Sequence, residues 1–262
     1  MLISLSVLDL FMAAGLVLLL GLLSFRMRLG LERELFIGVL RMSVQLLLIG
    51  LVLQTLFSNV ALHWVAMMAA VMVAVAGWEV RARQKRKSKG WWGYRVSVGA
   101  MFISSYSITV LTLLVFIGPD PWYHPQYAIP LLGMLLGNTM TGIAVGMDRL
   151  VQTAFQQRAV LEQRLLLGQS REQAIQDIRR DSMRSAMMHI INAMMAAGIV
   201  SLPGMMTGQI LAGAPPFEAV KYQILIMLLI AAGTGFGVAF ALWLISRHLF
   251  DARHRLRLNE VY

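Results

Sequence analysis

Seven long apolar runs govern what this chain can fold into. They lie near Val7–Phe25, Leu35–Phe57, Leu62–Val80, Val96–Ile117, Ala128–Met147, Ser185–Val200 and Ile224–Phe250. A helix of about 18–20 apolar residues matches the hydrocarbon thickness of a bilayer. Hydrocarbon offers no water to backbone N–H and C=O groups, so each run is expected to satisfy them internally as a helix. The fifth and sixth runs are short and carry Gly, Asn and Pro. The expected fold class is therefore all-α: a polytopic membrane protein with seven transmembrane helices. No linker, repeat or low-complexity tract divides it, so residues 1–262 read as one transmembrane domain.

Composition agrees with the pattern. Hydrophobic residues make up 58% of the chain and charged residues 14%, against about 45–50% and 25% in soluble domains. This excludes a disordered chain, a fibrous repeat and an ordinary cytosolic enzyme. There are no cysteines, which excludes disulfide frameworks, thiolate metal sites and Cys nucleophiles. No Lys or Arg precedes the first run, and Asp9 lies inside it, so that run is expected to be retained rather than cleaved as a leader.

The net charge of +10 taken alone suits a nucleic-acid partner, but the placement of the charges points to topology instead. Arg26, Arg28 and Arg33 follow the first run. Seven Lys or Arg lie between residues 81 and 95, seven more between 148 and 184, and four in the tail from Arg247. The stretches Ser58–Ala61 and Gly118–Tyr127 have none. With seven spans every basic segment falls on one side, which the positive-inside rule makes cytoplasmic. The N-terminus is then outside and the C-terminus cytoplasmic. The basic run over 81–89 reads as a topology anchor facing anionic lipid rather than as an RNA site.

The one long polar stretch, 148–184, has helical spacing, with Leu150, Val151, Ala154, Phe155, Leu161 and Leu165 near one face. It reads as cytoplasmic extensions of the fifth and sixth helices joined by a turn at Gly168. Glycine suits the left-handed position at a helix end. Ser170 and Gln173 have the spacing of a capping box. A sharp, capped turn of mixed charge can dock a soluble partner, or it can be a plain solvated connection.

This segment resembles the coupling motif of ABC-transporter membrane subunits, through Glu162, Leu165, Leu167, Gly168, Ser170, Gln173 and Ala174, with Arg171 on the same turn. Gln163-Arg164 stands where importers of that class carry Ala-Ala. A second resemblance covers almost the whole chain. Ile129–Met140 (IPLLGMLLGNTM), Ser201–Ile210 (SLPGMMTGQI), Ala212-Gly213, Lys221–Ile224 (KYQI), Arg180–Ser182, and Arg41 with Gln45 resemble the FetB family of membrane permeases. The resemblance implies a permease subunit of an ABC exporter, associated in bacteria with iron export and peroxide tolerance and in plants with aluminium tolerance. It implies a homodimer in a bacterial inner membrane, a separate ATP-binding subunit carrying ATP and Mg, and a metal-ion cargo. No cofactor is expected in this chain. No G-x-x-x-x-G-K-[ST] loop occurs in the sequence, so ATP would have to be hydrolysed by another polypeptide.

Polar residues within the spans invite a functional reading. Arg41 sits about 9 Å from the inner end of the second run, at 1.5 Å per residue, with Gln45 one turn on. It either snorkels to the headgroups or lies on a pathway. Ser182, Ser185, His189 and Asn192 form a polar stripe at spacings of three and four, with Asn138 as a neighbour in kind. The stripe is either a hydrogen-bonded cluster or part of a translocation pathway. The 19 methionines include adjacent pairs, which on a helix do not face each other. Pro203-Gly204 should break the sixth helix near the outer face, leaving 205–212 as a re-entrant or interfacial segment or as part of a hairpin. The rival readings are an ATP-independent carrier or channel and an intramembrane enzyme. The first needs coupling carboxylates or a filter, and the second a nucleophile elbow or paired Asp; the sequence offers none of these.

Overall fold

The computed structural model describes residues 6–58, 60–84, 91–251 and 255–256. It is helical throughout, with no β-sheet among the described residues. The long helices are α1 (Val7–Arg26), α2 (Glu32–Ser58), α3 (Leu62–Arg83), α4 (Trp92–Ile117), α5 (Pro125–Gln156), α8 (Gln176–Ala196) and α10 (Pro216–His248). Shorter helices are α6 (Arg158–Leu166), α7 (Arg171–Ala174) and α9 (Gly204–Leu211). Among the described residues, six helices are long and apolar enough to cross a membrane: α1 to α5 and α10. The sixth apolar run lies on α8, whose first half carries Asp177, Arg179, Arg180, Asp181 and Arg184 and keeps it outside those six.

Contacts gather the chain into two compact units. One comprises Met1–Val60 with Leu211–Gly213 and contains α1 and α2; the other holds the remainder. In the first, Ser6 and Asp9 make a capping box at the start of α1, which gives the carboxylate of this apolar run a structural task. The turn into α2 uses Arg28 at φ 54° and Gly30 at φ 70°. The buried Ser24 hydroxyl closes it, donating to Glu32 at 2.9 Å and accepting from the Leu31 N–H at 3.1 Å. Hardly any of the apolar surface of either helix is buried within the chain.

In the second unit, small residues set the packing. An added Cβ at Gly142 would stand 2.7 Å from Thr234, and one at Gly146 3.3 Å from Val238 and 3.5 Å from Leu242. Gly233 faces Leu135, and Gly237 faces Thr139. Residue numbers rise together on α5 and α10, so these two helices run parallel. The same reading, from Met72 at Gly133 and Gln84 at Met147, makes α3 parallel to α5. The chain must therefore return between α5 and α10, and α8 does so: Met187 lies against Gly235, and Met183 shares a cleft with Ala239, Leu242 and Trp243. It runs antiparallel to α10 for about 30 Å, at 1.5 Å per residue. Close backbone approach through small residues is what holds helices together in lipid, where apolar burial gives no preference for protein over hydrocarbon.

Two expectations need correction. The break after the sixth run comes at Ala197-Gly198, with Gly198 at φ 89°, and not at Pro203-Gly204. Pro203 instead precedes α9 and accepts from Thr207. The extensions are also not continuous: the chain departs from the α-helix at Gln157 and again at Ile175. Within 148–184 Leu150, Val151, Ala154 and Leu161 are buried as the spacing predicts, but Phe155 is exposed.

Gly237 tests the packing. Its Cβ would stand 2.7 Å from both Ser104 Oγ and Thr139 Cγ2. Gly237→Val should cost about 1–3 kcal/mol through overpacking, seen as a lower midpoint of thermal unfolding in detergent. Gly235→Ala, whose Cβ would stand 3.7 Å from Met187 Cε, should leave that midpoint near the parent's.

Candidate functional site

The turn at Gly168 is built as its residues predict. Gly168 adopts φ 88°. Its N–H donates to Leu165 O at 3.0 Å, and the Gln169 N–H donates to Arg164 O at 3.1 Å. That pair of bonds is a Schellman closure, which satisfies the last carbonyls of α6. The capping box follows at once: Gln173 N–H donates to Ser170 Oγ at 3.3 Å, and Ser170 N–H to Gln173 Oε1 at 2.9 Å. Seven residues thus end one helix and start the next with few loose backbone groups.

The base of the turn is anchored and its tip is open. Ala174, Ile175, Leu161 and Ile178 are buried, and Leu165 packs against the same core. Arg164 spans the turn, donating to Ala174 O at 3.0 Å and pairing with Asp177 at 2.9 Å. Leu166 and Leu167 are 87% and 84% exposed at the apex, which is costly in water unless something covers them. Glu162 pairs with Arg158 at 2.7 Å along the exposed face of α6. A groove of about 870 Å³ runs beside the apex, lined by Glu162, Leu165, Leu166, Gly168, Ser170 and Gln173 among others. Of the coupling residues selected from the sequence, Glu162, Leu165, Gly168, Ser170 and Gln173 line it, while Leu167, Arg171 and Ala174 do not.

The turn is also tied to distant helices. Glu172 on α7 accepts from Arg247 near the end of α10 at 3.2 Å. The Arg247 guanidinium lies 4.1 Å over the Trp243 ring, and the neighbouring His248 stacks on Trp92 at the start of α4, with ring centroids 3.7 Å apart. Sequence spacing could not reveal this, because the partners lie 75 residues apart or more.

The candidate pathway residues fall in both units. Arg41 and Gln45 are exposed on α2 in the first unit. In the second unit Asn138 is half-buried, with its Nδ2 donating to Met134 O one turn back at 2.9 Å. The stripe on α8 divides. Ser182 is fully buried and donates to Ile178 O, His189 is half-buried, and Ser185 and Asn192 are exposed. His189 Nδ1 lies 3.0 Å from Ala186 O, while its Nε2 is buried without a hydrogen-bond partner among the described residues. With Nδ1 donating, Nε2 presents a lone pair. Among the described residues no three of His, Asp and Glu gather as a metal-binding group.

Sequence reading missed a set of buried hydroxyls. Ser104 and Ser105 sit on a π-helical stretch of α4, Phe102–Tyr106, and Ser105 Oγ donates to Thr139 Oγ1 at 3.0 Å. Thr234 Oγ1 is buried without a partner among the described residues. Gly233 and Gly237, one turn apart on α10 and facing Thr139, were the available signal. Met147 is another: its buried thioether accepts from Gln84 at 3.5 Å and Ser97 at 3.9 Å.

The profile of the uncharacterised protein family UPF0014 matches residues 7–250. The chain belongs to UPF0014. It is 31% identical over 258 residues to the "Probable iron export permease protein FetB" of Escherichia coli, covering 97% of this chain and 95% of that one. It is 37% identical over 217 residues to the UPF0014 membrane protein slr1647 of Synechocystis, covering 82% and 83%. It is also 36% identical over 213 residues to the UPF0014 membrane protein STAR2 of rice, covering 81% and 73%. No solved structure matches it. The family resemblance read from the sequence motifs is thereby established. As a UPF0014 protein with six such apolar helices, the chain is a membrane protein.

The turn's construction is testable. Ser170→Ala removes a cap and should cost about 1 kcal/mol locally. Gly168→Val forces a β-branched residue into the left-handed region, at about 1–2 kcal/mol. Hydrogen exchange over residues 164–174 should accelerate in both variants and more in the second.

Proposed function

We propose that this chain is the permease subunit of an ABC exporter, moving a metal ion, with iron the first candidate, out of the cytoplasm. ATP and Mg would be held by a separate subunit, two of which would pair with a homodimer of this chain in a bacterial inner membrane. The observation that carries this reading is the double-capped turn at Gly168. It is rigid at its base, presents two exposed leucines beside a groove, and is bonded to α10 through Glu172 and Arg247. A docking element must be stiff to pass on motion and apolar at its tip to bind; this turn is both. Closure of the ATPase pair would press on the groove, and the Glu172–Arg247 bond and the stack of His248 on Trp92 would carry the displacement to α10 and α4.

The finer topology rests on connectivity. The parallel run of α5 and α10, with α8 returning between them, supports reading α8 as a seventh span despite its charged first half. Those charges would then sit at the cytoplasmic end, with Arg179 and Arg180, and the N-terminus would lie outside. The name of the Escherichia coli relative supports iron and the direction of transport. The lone pair of His189 Nε2 is the ligand we assign to cargo passage, a single weak donor suited to an ion that must leave again.

A mild-detergent pull-down from native membranes, with bound proteins identified by mass spectrometry, should recover a Walker-motif ATPase in equal amount. The purified complex carrying Glu162→Lys with Arg171→Glu should lose about tenfold of its metal-stimulated ATP hydrolysis, the scale of a lost interface hot spot, with thermal unfolding unchanged. Recovery of the chain alone, under conditions that hold a known ABC complex together, would move the assignment to an ATP-independent carrier. Full activity in the double variant would remove the turn from coupling.

A further inference from the structure

At the end of the second unit that carries the Gly168 turn, α3 and the start of α4 form an aromatic and cationic cluster outside the coupling elements. Trp78 and Trp91 have ring centroids 6.5 Å apart, and Tyr94 meets each edge-on, at 6.5 and 5.6 Å. The Arg81 guanidinium lies 5.5 Å from the Trp91 centroid and 6.0 Å from that of Trp78. The cluster has a firm base. Tyr94 Oη donates to Ala74 O at 3.3 Å, and Gly77 lets α4 approach α3 so closely that Val98 fills the place of a side chain. Yet Trp78 is 53% and Trp91 63% exposed. Two large rings left open over such a base form a surface built to meet something.

We propose that Trp78, Arg81, Trp91 and Tyr94 form a binding site for the headgroup of an anionic phospholipid. Three observations converge on that occupant. Indole rings favour the depth of the headgroups, where an apolar body and a polar edge are both served. A guanidinium held beside aromatic rings can present its N–H edge to a phosphate, which it can meet with two hydrogen bonds. The charge that α3 and α4 bring to this end is mainly of one sign: Arg81, Arg83 and Arg95, against the carboxylate of Glu79. The assignment needs only that α3 and α4 cross the membrane, as their length and composition permit. It does not depend on the cargo or on ATP.

The test is native mass spectrometry of the full chain released from nanodiscs containing equal phosphatidylglycerol and phosphatidylcholine. The parent should keep phosphatidylglycerol preferentially. Arg81→Gln should reduce that retention about fivefold, the scale of one basic contact to an anionic surface. Trp78→Ala with Trp91→Ala should do the same, and Trp78→Phe with Trp91→Phe should restore most of it, which separates loss of the rings from loss of the fold. Equal retention of both lipids by the parent, or unchanged phosphatidylglycerol retention in Arg81→Gln, would overturn the assignment. Displacement of the retained lipid by millimolar inorganic phosphate would also overturn it, by making the site one for the free ion.

Discussion

The parallel contact between α5 and α10 is the constraint on which the rest of the second unit depends. In water, burying leucines would drive two helices together. In hydrocarbon that advantage vanishes, and association depends on how closely the backbones can approach. Gly142 and Gly146 on one helix, with Gly233 and Gly237 on the other, supply that approach. Once the two run side by side in the same direction, the chain between them has no choice but to travel back, which is why a helix as polar as α8 lies along the bundle. The buried hydroxyls of Ser105, Thr139 and Ser182 are tolerated in the same core because each is hydrogen-bonded: Ser105 donates to Thr139, and Ser182 donates to its own helix at Ile178 O.

The turn at Gly168 shows a different economy. It gains little from burial at its tip and much from the completion of backbone hydrogen bonds at both helix ends. Left unsatisfied, such groups would fray the adjoining turns. Its link to α10 is an exposed ion pair and adds little stability. Its worth is directional: it couples a small, well-ordered element to a helix that runs the length of the unit.

Much of this was legible in the sequence because the signals were local. Six of the seven runs coincide with the six helices long and apolar enough to cross a membrane, the sixth run falls on the second half of α8, and Ser170 with Gln173 announced a cap that formed as written. What could not be read was decided at a distance or by competition. α8 ends before Pro203 because Ala197 is already extended and Gly198 behind it is left-handed, whereas the proline is accommodated at the start of α9. The stripe from Ser182 to Asn192 covers an arc of about 80° at 100° per residue, wide enough that one edge faces α5 and α10 and the other faces away. Residues chosen as one pathway therefore meet different surroundings, and the hydroxyls that do meet, Ser105 on α4 and Thr139 on α5, share no sequence spacing.

The two π-helical stretches of α4, Phe102–Tyr106 and Thr112–Ile117, carry a consequence for how this protein can change length. A π turn closes its hydrogen bonds one residue further along than an α turn, so it holds a surplus residue without turning the helix beyond it. Removing one residue from Phe102–Tyr106 can therefore collapse the bulge to ordinary helix while Thr109 and Thr112 keep facing inward. The same deletion in an unbroken stretch of α5 would rotate everything beyond it by about 100°, carrying buried residues to the outside. α4 thus holds spare length that its neighbours lack, and relatives can shorten there without rebuilding the bundle.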